Sequence, residues 1–251
     1  MCNFMGVKVT KLQFIQLNKI EKELGALAAM NELAIIKDGF SYSNSAIIKK
    51  TAENDFSLFA AHWEFIPIWI KNMEEVQAAR KQGIPWLNAR NEKLLESKMF
   101  RHAALNRRCL VLASHFFEWR HFKPEGEKKS NAYPYKIELN NADYFFMAGI
   151  WQPFVDKSSG ETFDSFAIVT TEANDLMQAV HNTKKRMPTI LPDQLAWKWI
   201  SDGLTENEIK QIASFQFPSN EMKASTIQKS FKSALDPLEE CVYPELPHIL
   251  L

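Results

Sequence analysis

Cysteine is scarce in this 251-residue chain: Cys2, Cys109 and Cys241 are the whole complement, an odd number without CxxC spacing. That count excludes a disulfide framework and a cysteine-rich zinc module, and it fits a reducing compartment. His62, His102, His115, His121 and His248 show no metal-ligand spacing, so no metal site is expected. Neither charge is in excess, because 30 basic residues face 30 acidic ones. Wholesale coating of nucleic acid is thereby excluded, and any contact with it must come from a local basic groove. Long apolar runs are also missing: none approaches the roughly 18 residues that span a bilayer. The opening MCNFMGVKVTKLQF lacks the basic-then-apolar order and small-residue cleavage site of a secretory signal. The expectation is a cytoplasmic monomer with no membrane partner and no cofactor.

What the chain does contain is apolar and aromatic mass. Hydrophobic residues make up 46%, with 18 Phe and 7 Trp, which supplies one large core for a chain at the upper end of single-domain size. Leu12, Ile15, Leu17, Ile20, Leu24 and Leu27 are spaced for an amphipathic helix over 11–36. After about Phe40 the texture changes to short apolar runs, SLFAAHWEFIPIWI, RRCLVLASHFFEW, YPYKIEL, YFFMAGIWQPF and SFAIVTT, separated by Pro, Gly, Asn and Asp, as strands and turns would be. Helices are expected over Asn91 to Leu105, over NDLMQAV leading to His181, and, as a last surface helix, over Trp197 to Ala213. From Phe217 the periodicity is lost. The reading is one α+β domain over 1–216, built on a mixed, strongly curved sheet with peripheral helices, and a C-terminal extension over 217–251 that packs on it or trails from it.

Several residues have the chemistry of a site. If Met1 is trimmed, Cys2 becomes an N-terminal 1,2-aminothiol whose amine (about 8) and thiol (about 8.5) are both partly nucleophilic at neutral pH. An aldehyde forms an imine with such an amine, and the thiol on the same residue then closes a five-membered thiazolidine intramolecularly. WLNARNE places Asn88 and Arg90 two apart, on one face of a strand, where they hold a sugar or phosphate or form an ordinary surface turn. Glu118 sits among Phe116, Phe117 and Trp119. It is either a solvated edge residue or a buried acid tuned toward neutrality. His181 precedes the basic run Lys184, Lys185 and Arg186, which suits acid–base work beside a phosphate backbone or a structural hydrogen bond. The window Lys98 to Arg108 contains no acid and, with Lys184 to Arg186, offers a phosphate-binding groove. Trp63, Trp69 and Trp86 offer stacking faces for bases or belong to the core. Cys109, within CLVLA, reads as a core residue.

Met1-Cys2, HWEFIPIW (His62 to Trp69), LNARNE (Leu87 to Glu92), KMFR (Lys98 to Arg101), RCLVLASHFFEW (Arg108 to Trp119), PYKIEL, AGIW, FAIVTTEAN and HNTKKRMPTIL (His181 to Leu191) follow one another between Met1 and Leu191. This ordered set resembles the SRAP family, the SOS response-associated peptidase proteins that crosslink to abasic sites. The resemblance implies a pseudo-barrel fold and single-stranded DNA containing abasic sites as partner. It gives Cys2 the thiazolidine chemistry, has Asn88 and Arg90 orient the adduct and bind phosphate, and has Glu118 and His181 assist ring opening and imine formation. It also sets Lys98, Trp69 and Arg186 along the DNA path. Two positions depart from the family pattern. Phe4 stands where an arginine phosphate contact is usual, and Glu64 stands where glycine is usual, which adds negative charge near the expected DNA face. Two other functions fit the same residues: an N-terminal cysteine amidohydrolase with Asn88 stabilising an oxyanion, and a non-covalent single-stranded DNA-binding module.

Overall fold

The computed structural model of the protein describes residues 2–8, 34–52 and 55–249. In chain order the strands begin with β1 (Phe4–Gly6), β2 (Lys37–Asp38), β3 (Asn44–Lys50) and β4 (Phe56–Trp63). After helix α1 (Met73–Lys81) come β5 (Asn88–Arg90), helix α2 (Arg101–Asn106), β6 (Arg108–Ala113), β7 (His115–Phe122), β8 (Asn131–Leu139), β9 (Phe145–Val155) and β10 (Thr162–Glu172). The chain continues through α3 (Asp175–Val180), β11 (Arg186–Pro188), β12 (Ile190–Leu191), α4 (Asp193–Ile200), α5 (Glu206–Ala213) and β13 (Met222–Thr226). The expected helix over 11–36 falls mostly on residues 9–33, outside the described residues.

Strands β10, β4, β3, β6 and β9 close on themselves, since β10 pairs with both β4 and β9. The β4–β10 pairing is parallel and the others in the ring are antiparallel. The result is a five-stranded mixed barrel, an α+β pseudo-barrel as expected. A second sheet, β13-β8-β7-β1-β2, packs beside it. Strands of the barrel wall are apolar on both faces because each face has its own core. Leu110 and Leu112 of β6 join one cluster with Trp199, while Cys109, Val111 and Ala113 join the other with Cys2 and Phe116. The two-residue period of a strand thus sorts one continuous apolar run between two cores. Gly149 of β9 lies where a Cβ would come within 2.8 Å of Cys109 Sγ, so only glycine lets the two strands approach.

Four elements differ from the sequence reading. Asn91 to Leu105 is not one helix. A 3₁₀ turn at Asn91–Lys93 is followed by an irregular link and then α2. Ser97 breaks the segment: its hydroxyl accepts from Met99 N, and Arg101 turns back to donate to Leu95 O at 2.8 Å. Trp197 to Ala213 is likewise two helices, separated at Gly203, whose φ is +77°. Thr205 and Glu208 restart the chain with a reciprocal capping box. The first of these helices is no surface element, because Trp199 is fully buried and donates to Cys109 O and Gly149 O. Helix α1 and strand β3 lie outside the runs singled out above. Asn72 caps α1, with Glu74 and Glu75 in its first turn and Arg80 and Lys81 in its last, a complete set of terminal signals.

Candidate active site

The second sheet meets the rest of the molecule where β7 packs against helix α3, which follows β10. Asn174 caps α3 by accepting from Met177 N at 2.9 Å, and the helix ends at His181. The turn beyond is fastened to β7 by Asn182, whose amide donates to His121 O at 2.7 Å and accepts from His121 N at 3.0 Å. That clasp brings His181 Nε2 to 3.6 Å from Glu118 Oε2. Both side chains are buried. Desolvation pushes the Glu118 carboxyl up to about 7, against the lowering effect of the amino-terminal charge and of Lys184. Desolvation also pushes His181 down to about 4, helped by the amino-terminal charge. His181 Nδ1 lies 2.8 Å from Arg186 O. Since a carbonyl only accepts, Nδ1 carries the proton and Nε2 is the acceptor turned toward Glu118.

Strand β1 pairs with β7 with Phe4 opposite Phe117, and continuing that register sets Asn3 and Cys2 alongside Glu118 and Trp119. Cys2 is fully buried. Its thiol is pushed well above the ordinary value, first by desolvation and then by the negative charge of Glu118. Asn3 is held on two sides, its carbonyl by Gly39 N–H at 2.8 Å and its side-chain oxygen by Asn88 Nδ2 at 3.0 Å. Asn88 Oδ1 is buried without a hydrogen-bond partner among the described residues. Cys2, Asn88, Glu118 and His181, separated by up to 179 positions in the chain, are therefore gathered around the start of β1. Asn3 had no signal of its own in the sequence beyond its place next to Cys2.

The residues expected along the DNA path are more dispersed. Arg90 shares β5 with Asn88 and is exposed, while Ala89 between them is buried. Lys98 is exposed on the link before α2, and Trp69, 52% exposed, stands in the turn after β4 beside Ile68. Arg186 is buried, and its guanidinium is engaged by Glu92 (3.0 and 3.1 Å), Asn91 Oδ1 and Thr170 O. The all-basic window also divides. Lys98 faces solvent, Arg101 pairs with Glu206, and Arg108 turns inward to four backbone carbonyls. Of the residues expected to offer a phosphate-binding groove, Lys98 to Arg108 with Lys184 to Arg186, Arg108 is taken up by helix ends and Arg186 by internal partners, while Lys98 and Arg101 lie at the surface. Trp63 is a core residue, stacked near Phe166 with its indole N–H on Leu87 O, and Trp86 is partly buried.

The two departures have structural answers. Glu64 is fully buried and bound by Arg80, whose guanidinium also lies 3.7 Å above the Tyr42 ring. It adds no negative charge to the surface, contrary to the sequence expectation. Phe4 packs with Phe40, Trp119 and Phe231, and Lys232 Nζ lies 3.9 Å over its ring. Among the described residues no group of three His, Cys, Asp or Glu lies close enough to hold a metal, and no helix is long and apolar enough to cross a membrane.

Comparison with known proteins gives a consistent picture. The family model for SOS response associated peptidase (SRAP) matches residues 15–234. The abasic site processing protein YoqW of Bacillus subtilis is 27% identical over 221 residues, covering 88% of this chain and 85% of its own length. YedK of Escherichia coli, also an abasic site processing protein, is 28% identical over 162 residues, with 64% of this chain and 68% of its own covered. A crystal structure of a Bacteroides thetaiotaomicron protein superposes with a TM-score of 0.80 at 28% identity, covering 95% of this chain and 97% of that one.

Proposed function

The chain belongs to the SOS response associated peptidase (SRAP) family, and on that premise we propose that it processes abasic sites by capturing them covalently in single-stranded DNA through Cys2. One observation carries this reading: a buried carboxyl held near neutrality sits 3.6 Å from a neutral imidazole, and its charge reaches the Cys2 thiol. Burying three such groups together is costly, and titratable groups so perturbed cluster at functional sites.

The chemistry follows from their protonation. Hydrolysis of the Met1–Cys2 bond leaves a free amine on Cys2. That amine adds to the aldehyde of the ring-opened sugar, and loss of water gives an imine. Sulfur then attacks the imine carbon, a C–S bond forms, and the thiol proton passes to a base while the nitrogen takes up a proton. Because burial keeps the thiol protonated, this last step needs a base at hand. Glu118, near 7, donates to the departing hydroxyl in its acid form and accepts from sulfur in its carboxylate form. His181 Nε2 serves as acceptor in opening the sugar ring. Asn88 offers its unpartnered oxygen to a sugar hydroxyl, and Arg90, Lys98 and Trp69 line the strand's approach, whereas Arg186, expected there from the resemblance, is buried on Glu92, Asn91 and Thr170. A purely non-covalent module is less well supported, since Arg101, Arg108 and Arg186 are committed to internal partners.

The deciding experiment is a denaturing gel of the protein incubated with abasic single-stranded DNA. A shifted band that survives denaturation and is absent for Cys2→Ser is expected. Its absence from the wild type, or turnover of amides without it, would overturn the reading. Intact-mass measurement of the mature protein should show loss of Met1.

A further inference from the structure

We infer that Asn3 is a positioning residue of this site: its side chain fixes which way the Asn88 amide faces and so presents Asn88 Oδ1 to the captured sugar. The inference rests on the function proposed above and adds to it a residue that the sequence patterns did not single out. A terminal residue is the part of a chain most prone to fray, and intramolecular capture loses its advantage if nucleophile and sugar are misaligned by as little as about 1 Å. Asn3 answers both problems. Its peptide carbonyl is gripped by Gly39 N–H at 2.8 Å, in a contact so close that a Cβ on residue 39 would lie 3.1 Å from that oxygen and 2.9 Å from Leu87 Cδ1. This anchors the residue next to Cys2 through the backbone.

The side chain acts separately. Asn3 Oδ1 accepts from Asn88 Nδ2 at 3.0 Å across 85 positions of sequence. With the nitrogen end so engaged, the Asn88 oxygen is the end left over, and it is buried without a partner among the described residues. A buried acceptor left unpaired carries a standing penalty, and it is relieved when a donor arrives. A sugar hydroxyl at the site is such a donor. Without Asn3 the amide is able to turn, satisfying itself differently and presenting N–H groups where an acceptor is needed.

Single-turnover crosslinking to abasic single-stranded DNA tests this, with DNA affinity measured separately in a Cys2→Ser background. Asn3→Ala should slow the covalent step at least about tenfold and leave affinity unchanged. Asn3→Asp, whose carboxylate only accepts, should restore the rate to within about twofold, because Asn88 Nδ2 keeps its partner. In an Asn88→Ala background Asn3→Ala should add nothing. A wild-type rate for Asn3→Ala, equal slowing in the Asn88→Ala background, or an Asn3→Asp rate as low as that of Asn3→Ala would each overturn the inference while the wild-type crosslink stands. A wild-type protein that forms no crosslink would overturn the proposed function and this inference with it.

Discussion

Burial, acting on single side chains, sets the charge of the candidate site. The Glu118 carboxyl lies near 7 in the fold against an ordinary 4.5, so between those values the native state holds a proton that the unfolded chain has released. Its stabilising contribution is complete below about pH 4.5 and is lost as the pH rises to about 7. His181 runs the other way. Its neutral ring contributes fully above the ordinary 6.5, and that contribution is lost as the pH falls toward 4. Glu118→Gln removes the first dependence. Calorimetry should find its Tm rising relative to the wild type between pH 4.5 and 7 and the gap constant above, while crosslinking slows by about 10²- to 10⁴-fold. A second residue-scale effect concerns Glu64, fully buried with Arg80 as its cation. Arg80→Ala leaves that charge with only His62, whose Nε2 lies 3.5 Å away, and should cost about 3 kcal/mol in urea unfolding, most of it recovered by adding Glu64→Gln.

Between elements, side chains that appear from sequence to be surface cations act as couplings. Arg108 donates to Ala104 O and Leu105 O at the end of α2 and to Trp199 O and Ser201 O at the end of α4, all between 2.6 and 2.8 Å. A positive charge on the carbonyl ends of two helices satisfies orphan acceptors and opposes both dipoles. Arg108→Met should therefore lower stability by about 2 to 4 kcal/mol, and hydrogen exchange should show both helix ends opening together. Patterning could not reveal this. A run of arginines has the same composition whether it faces phosphate or the open end of a helix, and only the path of α4 decides between them.

The whole molecule depends on its C-terminal segment from residue 217 more than the sequence texture implies. Met222–Thr226 extends the second sheet along β8, and Ile227, Phe231 and Leu238 close a cluster over Phe4 and Phe117. Ending the chain at residue 216 would bare the β8 edge and uncover the strand that leads to Cys2. Such a truncation should aggregate or unfold without a cooperative transition, as scattering and thermal melts would show. Retention of a sharp wild-type melt would mean that this segment is dispensable for folding.

What the sequence by itself determined is local and ordered: the strands from β6 to β10, the cap and length of α3, the α+β class, and a family set by motifs in fixed succession. These are legible because apolar period, turn residues and caps act over a few positions. Only the tertiary structure decided which cations remain open, that Glu64 is neutralised by Arg80, that Trp63 is core, and that Asn3 reaches Asn88. Desolvation and long-range hydrogen bonds depend on what packs from elsewhere in the chain, and neighbouring residues carry no record of it.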